Sequence, residues 1–208
     1  MTCKSATLVG VTLLCMLGAG GCALVDPDVA RDLKFSSIAV VYGKDLAEDS
    51  WQGYDSRPNP KLLKIEFTTK YDLFYLPYEN RFAIFNRVDF CDTSTFFDKW
   101  GPNESDTVYW SGINVNLAHN YRSDPQIRGK YNSSSVRAFY TFLYVSKKWP
   151  PDTKVGDDEW PPVSYDLDKE PENICLRVFG ADEAHVVFSS NIVFIPKEVI
   201  ANALAAAR

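Results

Sequence analysis

Beyond residue 34 the chain alternates apolar and polar positions through most of its length. In "LLKIEFTTKYDLF" (62–74), Leu63, Ile65 and Phe67 interleave with Lys64, Glu66 and Thr68. A β-strand turns successive side chains to opposite faces, so this pattern predicts a strand with one buried face. "RFAIFNRVDFC" (81–91) repeats the pattern through Phe82, Ile84, Val88 and Phe90, with Asn86 interrupting the apolar row. The turn residues of "LPYEN" (76–80) lie between these two runs, which are expected to pair as a long hairpin. "FSSIAVVY" (35–42), "TVYWSGINVNLA" (107–118), "SSVRAFYTFLYVSKKW" (134–149), "ICLRVFG" (174–180) and "AHVVFSSNIVFI" (184–195) supply further strands. Gly112, in the middle of 107–118, marks a bulge or bend.

About seven strands result, separated by clusters of Gly, Pro, Asn and Asp. They do not alternate with long amphipathic helices, which disfavours a parallel α/β sheet. The expected fold is all-β: an antiparallel two-layer β-sandwich, with a closed antiparallel β-barrel as the alternative. Residues 35–208 form one domain in this reading. Its last segment, "PKEVIANALAAAR" (196–208), is the single helix expected. Pro196 suits a first helical position, and Val199, Ile200, Ala203 and Leu204 recur at helical spacing. Residues 43–61, 92–106 and 147–173 form three long connections with little periodicity. Loops of that length are uncommon in compact domains and are often functional.

The first residues follow another rule. Lys4 and the amino terminus precede an apolar run from Ala6 to Leu17, and small residues follow at Gly18, Ala19, Gly20 and Gly21. The apolar run is short of the roughly 20 residues needed to span a bilayer and matches the core of a signal peptide. An ordinary secretory cut after Gly21 is one reading. A second reading accounts for the cysteine that comes next. Ala19, Gly20, Gly21 and Cys22 resemble the lipobox of bacterial lipoproteins, in which the cysteine at the cut receives a diacylglycerol. The resemblance covers residues 1–22 only. It implies a signal peptide at 1–21, lipidation of Cys22 and a tether over 22–34. Two or three acyl chains hold stably, where one holds only marginally. Ala23 stands where Asp would retain many Gram-negative lipoproteins at the inner membrane. The resemblance therefore implies the periplasmic face of the outer membrane.

Loss of residues 1–21 leaves 187 of the 208 residues and removes Lys4 as the one charge, moving the formal charge from −5 to −6. An acidic chain cannot replace phosphate counterions, so nucleic acid is not an expected partner. Export also bears on Cys91 and Cys175. An oxidising compartment favours a disulfide between them, the alternative being two buried thiols. Both lie out of phase with the apolar rows of their strands, Cys91 against Ile84 and Phe90, Cys175 against Ile174 and Leu176. They are expected as neighbours on a non-core face, or with one of them beneath the 92–106 loop.

Catalytic signals are thin. His119 ends a strand and His185 begins one, with Asp124 and Asp182 nearby in sequence. No G-x-S-x-G, H-x-x-x-H, C-x-x-C or EF-hand spacing occurs, so neither a catalytic residue, a metal nor a cofactor is expected. The acidic stretch 157–172 lacks the D-x-D-x-D-G order of a calcium loop and reads as solvated. The most distinctive feature is "WPP" twice, at Trp149 and Trp160, around "DTKVGDDE". Tandem prolines stiffen the backbone and suppress ladder pairing. A rigid acidic excursion with aromatic feet is expected there. Trp51, Tyr54 and Trp100 lie in the other long connections. Together these aromatics either contact a partner or lid the core.

The function expected is a lipid-anchored binding or assembly module in the envelope, holding a protein partner or cell-wall material. One alternative is an immunity lipoprotein that neutralises an arriving toxin through its acidic face. Another is an envelope glycan-acting enzyme using a carboxylate pair.

Overall fold

The computed structural model of the protein describes residues 31–46, 59–74, 83–91, 107–121, 123–132, 136–148, 164–181 and 186–208. Two antiparallel sheets share one core and do not close into a barrel. The first carries β1 (Lys34–Tyr42), β2 (Lys61–Thr69), β6 (Arg137–Tyr144), β4 (Tyr109–Trp110) and β5 (Ile113–Asn114), in that spatial order. The second centres on β9 (Ile174–Ala181), with β3 (Ala83–Phe90) on one side. On the other side lie β10 (Val186–Ser189) and β11 (Val193–Ile195). A short separate ladder joins β7 (Ser146–Lys147) to β8 (Tyr165–Asp166).

The alternating residues build the core as their pattern requires. Leu63, Ile65 and Phe67 of β2 face inward beside Leu143, Thr141 and Phe139 of β6. Ile84 and Val88 of β3, with Ile174, Leu176 and Val178 of β9, supply the second sheet's share of the same core. Helix α2 (Lys197–Ala206) adds Ile200 and Leu204. Pro196 is its N-cap, with extended backbone, one residue outside the helix it was expected to open.

Two irregularities keep apolar residues on the core side. Phe35 and Ile38 are three apart, so a regular strand would split them between faces. A register shift between Phe35 and Ser37 absorbs one residue, and Phe35, Ile38 and Val40 all pack on the core. Likewise Phe188 and Val193 are five apart, and both are buried because residues 190–192 interrupt the strand between them.

The polar interruptions have specific roles. Asn86 is fully buried and its Nδ2 donates to the Thr107 carbonyl at 2.9 Å. Thr141 Oγ1 donates to the same carbonyl at 3.0 Å from the other sheet. One backbone oxygen thus ties β3 to β6 through the core. Asn191, in the break between β10 and β11, accepts from Leu33 N at 3.0 Å and donates to Leu33 O at 2.9 Å. Asn116 makes the same paired contact with Ile84 of β3, at 2.7 and 2.8 Å. In each case a side-chain amide supplies the donor and acceptor that a neighbouring strand would supply.

Several expectations are corrected. The runs at 62–74 and 81–91 do not form a hairpin: β2 pairs with β1 and β6, and β3 pairs with β9 in the other sheet. Alternation gives each strand a buried face but does not choose its partner. Segment 107–118 is not one bent strand. Ser111 and Gly112 both have positive φ, as in a type I′ turn, and close a two-residue hairpin between β4 and β5. A 3-10 helix, Val115–Tyr121, follows, so His119 lies in a helical turn and not at a strand end. A second helix, α1 (Pro125–Asn132), stands where none was expected. The strand expected over 184–195 is divided into β10 and β11.

Candidate functional site

Three long connections separate the strands, and their described roots converge on one end of the sandwich. Residues 43–61 leave β1 and return to β2 through Gly43, whose N–H donates to Pro60 O at 2.9 Å, and Lys44, whose N–H donates to Asn59 Oδ1 at 3.0 Å. A Cβ on Gly43 would come within 2.6 Å of the Pro60 ring, so only glycine permits this closure without movement. The 147–173 connection is rooted by the β7–β8 ladder, which pairs Ser146 with Asp166 and Lys147 with Tyr165. Val145 N donates to Lys61 O at 3.0 Å and Leu167 N donates to Val145 O at 2.8 Å, fixing this root beside the first. Both Asp168 carboxylate oxygens accept from Lys61 Nζ at 2.9 Å. Residue 92 follows Cys91, and the preceding Phe90 packs edge-on against Tyr165 with centroids 5.5 Å apart.

Cys91 is bonded to Cys175, with Cα atoms 5.2 Å apart, inside the range a disulfide requires. Both lie on the outer face of the second sheet, as their phase in the sequence requires. That face carries a cross-strand row: Phe85 opposite Phe179, Arg87 opposite Arg177, Asp89 opposite Cys175. The two phenylalanine rings stack with centroids 5.6 Å apart. Arg87 Nε donates to Asp89 Oδ2 at 2.6 Å. Asp89 is only 3% exposed. Burial pushes its carboxyl up to about 6, and the charge and hydrogen bond of Arg87 pull the other way. Burial also lowers Arg177, with the charge of Arg87 adding to the effect.

The outer face of the first sheet is aromatic. Tyr109 stacks on Tyr140 at 5.5 Å and lies 5.4 Å from Phe142, and Lys64 Nζ sits 4.3 Å above the Tyr140 ring. Glu66 receives Lys64 Nζ and the Ser37 hydroxyl, both at 2.6 Å. The Lys64 bond, then the Ser37 bond, hold its carboxyl below the usual range.

The catalytic candidates do not assemble among the described residues. Asp124, close to His119 in sequence, caps α1: its Oδ1 accepts from Gln126 N at 2.8 Å and Ile127 N at 3.2 Å. The His119 side chain, His185 and Asp182 lie outside the described residues, as do Cys22, Trp51, Tyr54, Trp100, Trp149 and Trp160. In the acidic stretch, Asp166 pairs with Lys169 at 2.9 Å and Asp168 with Lys61. Among the described residues no group of three or more His, Cys, Asp or Glu is placed to hold a metal.

Sequence reasoning missed the Arg87–Asp89–Arg177 row, although its signal was present. Phe85, Arg87, Asp89 and Cys91 share one phase, and Cys175, Arg177 and Phe179 share another. Reversing one run against the other brings phenylalanine to phenylalanine and arginine to arginine, the register observed.

These features define a disulfide-stapled antiparallel β-sandwich whose long connections are rooted together. No protein-family model, curated protein or solved structure matches the chain.

Proposed function

We propose that this chain is a lipid-anchored binding module of the bacterial envelope, held to the outer membrane through Cys22, and that it displays its long connections to a partner. The observation that carries the reading is the placement of the loop roots. Lys61, Gly43, Cys91 and the β7–β8 ladder stand at one end of the sheets. The chain arrives from Cys22 at the other, where Asp32 bonds Thr69 and Lys70 at the far end of β2. The nine residues of β2 span about 26 Å between these ends. A tether at one pole and rooted loops at the other is the arrangement of a protein that reaches from a membrane toward something else. The aromatics Trp51, Trp100, Trp149 and Trp160 belong to those connections, and tryptophan is enriched where binding energy concentrates.

The test is photocrosslinking in intact cells. A crosslinking amino acid replaces each of these four tryptophans in turn, and the exposed Ala39 of β1 serves as the control. The reading expects a discrete adduct from loop positions and none from Ala39. Folded, disulfide-bonded protein that yields no adduct from any loop position would overturn it.

A further inference from the structure

β1 is the first strand of the fold, and it runs from the tether end of the sandwich to the loop end. Its partner β2 runs the opposite way, so Lys34 pairs with Thr68 and Tyr42 with Lys61. The starts of the two strands therefore stand at opposite ends of one ladder. Load applied to both starts draws the strands past each other along their length. The hydrogen bonds of an antiparallel pair lie across the strands, so every rung shares such a load. Load applied to the start of β1 and the end of β2 opens the rungs one after another instead. At nine residues each, β1 and β2 are the longest strands among the described residues, so this ladder has the most rungs to share a load.

Each start has its own grip. At the tether end, Thr69 Oγ1 and Lys70 N donate to the Asp32 carboxylate at 2.5 and 2.9 Å. The Asn191 amide, from the other sheet, holds both Leu33 N and Leu33 O. Along the ladder the Ser37 hydroxyl donates to Glu66 across the pair at 2.6 Å, and Phe35, Ile38 and Val40 pack on the core. At the loop end, Lys61 opens β2 and is tied to the root of the 147–173 connection. Its Nζ donates to both Asp168 oxygens at 2.9 Å, and its carbonyl accepts from Val145 N at 3.0 Å. A pull on that connection therefore reaches the start of β2, while a pull on the tether reaches the start of β1.

Resting on the reading of Cys22 as the anchor and of the long connections as the bound end, we propose that β1 and its ladder to β2 form a tension-bearing clamp. It carries force between the bilayer and a partner held at the 147–173 connection, and the domain does not unravel from its anchored strand. Unfolding under force is governed by the rate of breaking and not by equilibrium stability, so the arrangement lengthens lifetime under load.

Optical-tweezers pulling on the detergent-solubilised full-length protein tests this. Azide-bearing amino acids at the exposed positions 31 and 169 attach the handles that load the two starts. Handles at 31 and 70, also exposed, load the same strand pair from one end. At equal loading rate the 31–169 protein is expected to unfold at about twice the force of the 31–70 protein, or more. Equal forces in the two geometries, with the disulfide intact and Cys22 shown by mass to be lipidated, overturn the clamp and leave the anchor standing. Absence of lipid on Cys22 overturns the anchor reading, and the clamp's role with it, whatever the forces.

Discussion

Among the described carboxylates, Asp89 is the one that burial moves well away from its ordinary titration. It sits beside the disulfide, almost without water, and one arginine offsets its charge. With a folded value of about 6 against about 3.9 in an unfolded chain, the folded protein holds a proton that the unfolded chain has already released. Stability contributed by this group is therefore full below about pH 4, falls as pH rises to about 6, and is level above that. Asp89→Asn keeps an oxygen for Arg87 and removes the titration. Urea unfolding of both proteins at pH 4.5 and pH 7 should show the wild type losing roughly 2 kcal/mol relative to the variant between the two. Equal pH dependence in the two proteins would show that water reaches Asp89. Cys91 and Cys175 were legible at this scale because strand phase alone assigns a face. Asp89 was not, because burial on an outward face depends on what covers it.

At the scale of elements, the long strands β1, β2, β3, β6 and β9 were legible and their partners were not. The alternation of 62–74 and 81–91 is equally compatible with a hairpin and with membership of opposite sheets. The second outcome holds because β1 and β6 occupy both edges of β2. Helix α1 was missed although Asp124 and Pro125 supply a cap and a first position; the short polar run that follows has no apolar stripe to reveal it. The break in β10–β11 was also invisible, since "SSNIV" reads as more strand. That break lets Asn191 turn from its own sheet and hold Leu33 at the start of β1. Asn191→Ala leaves a part-buried N–H and C=O without these partners, at a cost of about 1–3 kcal/mol. Hydrogen exchange should quicken at the Leu33 amide well before it changes in β9. Unchanged protection of Leu33 would mean that the packing of α2 against β1, and not the amide pair, holds this end.

Over the whole molecule, the disulfide closes a loop spanning 84 residues from the end of β3 to the start of β9. Chain entropy alone credits such a closure with about 4.5 kcal/mol. It acts at the end where the long connections are rooted, so the roots stay fixed whatever the connections themselves do. Fold class was readable from period and turn residues. The gathering of the roots was not, because it follows from strand order, which no local pattern encodes. The site aromatics were named from composition and loop length, and they lie outside the described residues.

The reading of function depends on the lipid at Cys22. No helix among the described residues is long and apolar enough to cross a membrane, and the proposed bilayer anchor rests on the lipobox-like run Ala19–Cys22. Mass spectrometry of the amino-terminal peptide from protein made in a lipoprotein-processing bacterium measures this directly. The expected result is a chain beginning at Cys22 and carrying a diacylglyceryl group on its sulfur. A mature chain beginning at Cys22 with a free thiol, or beginning at any other residue, would contradict it.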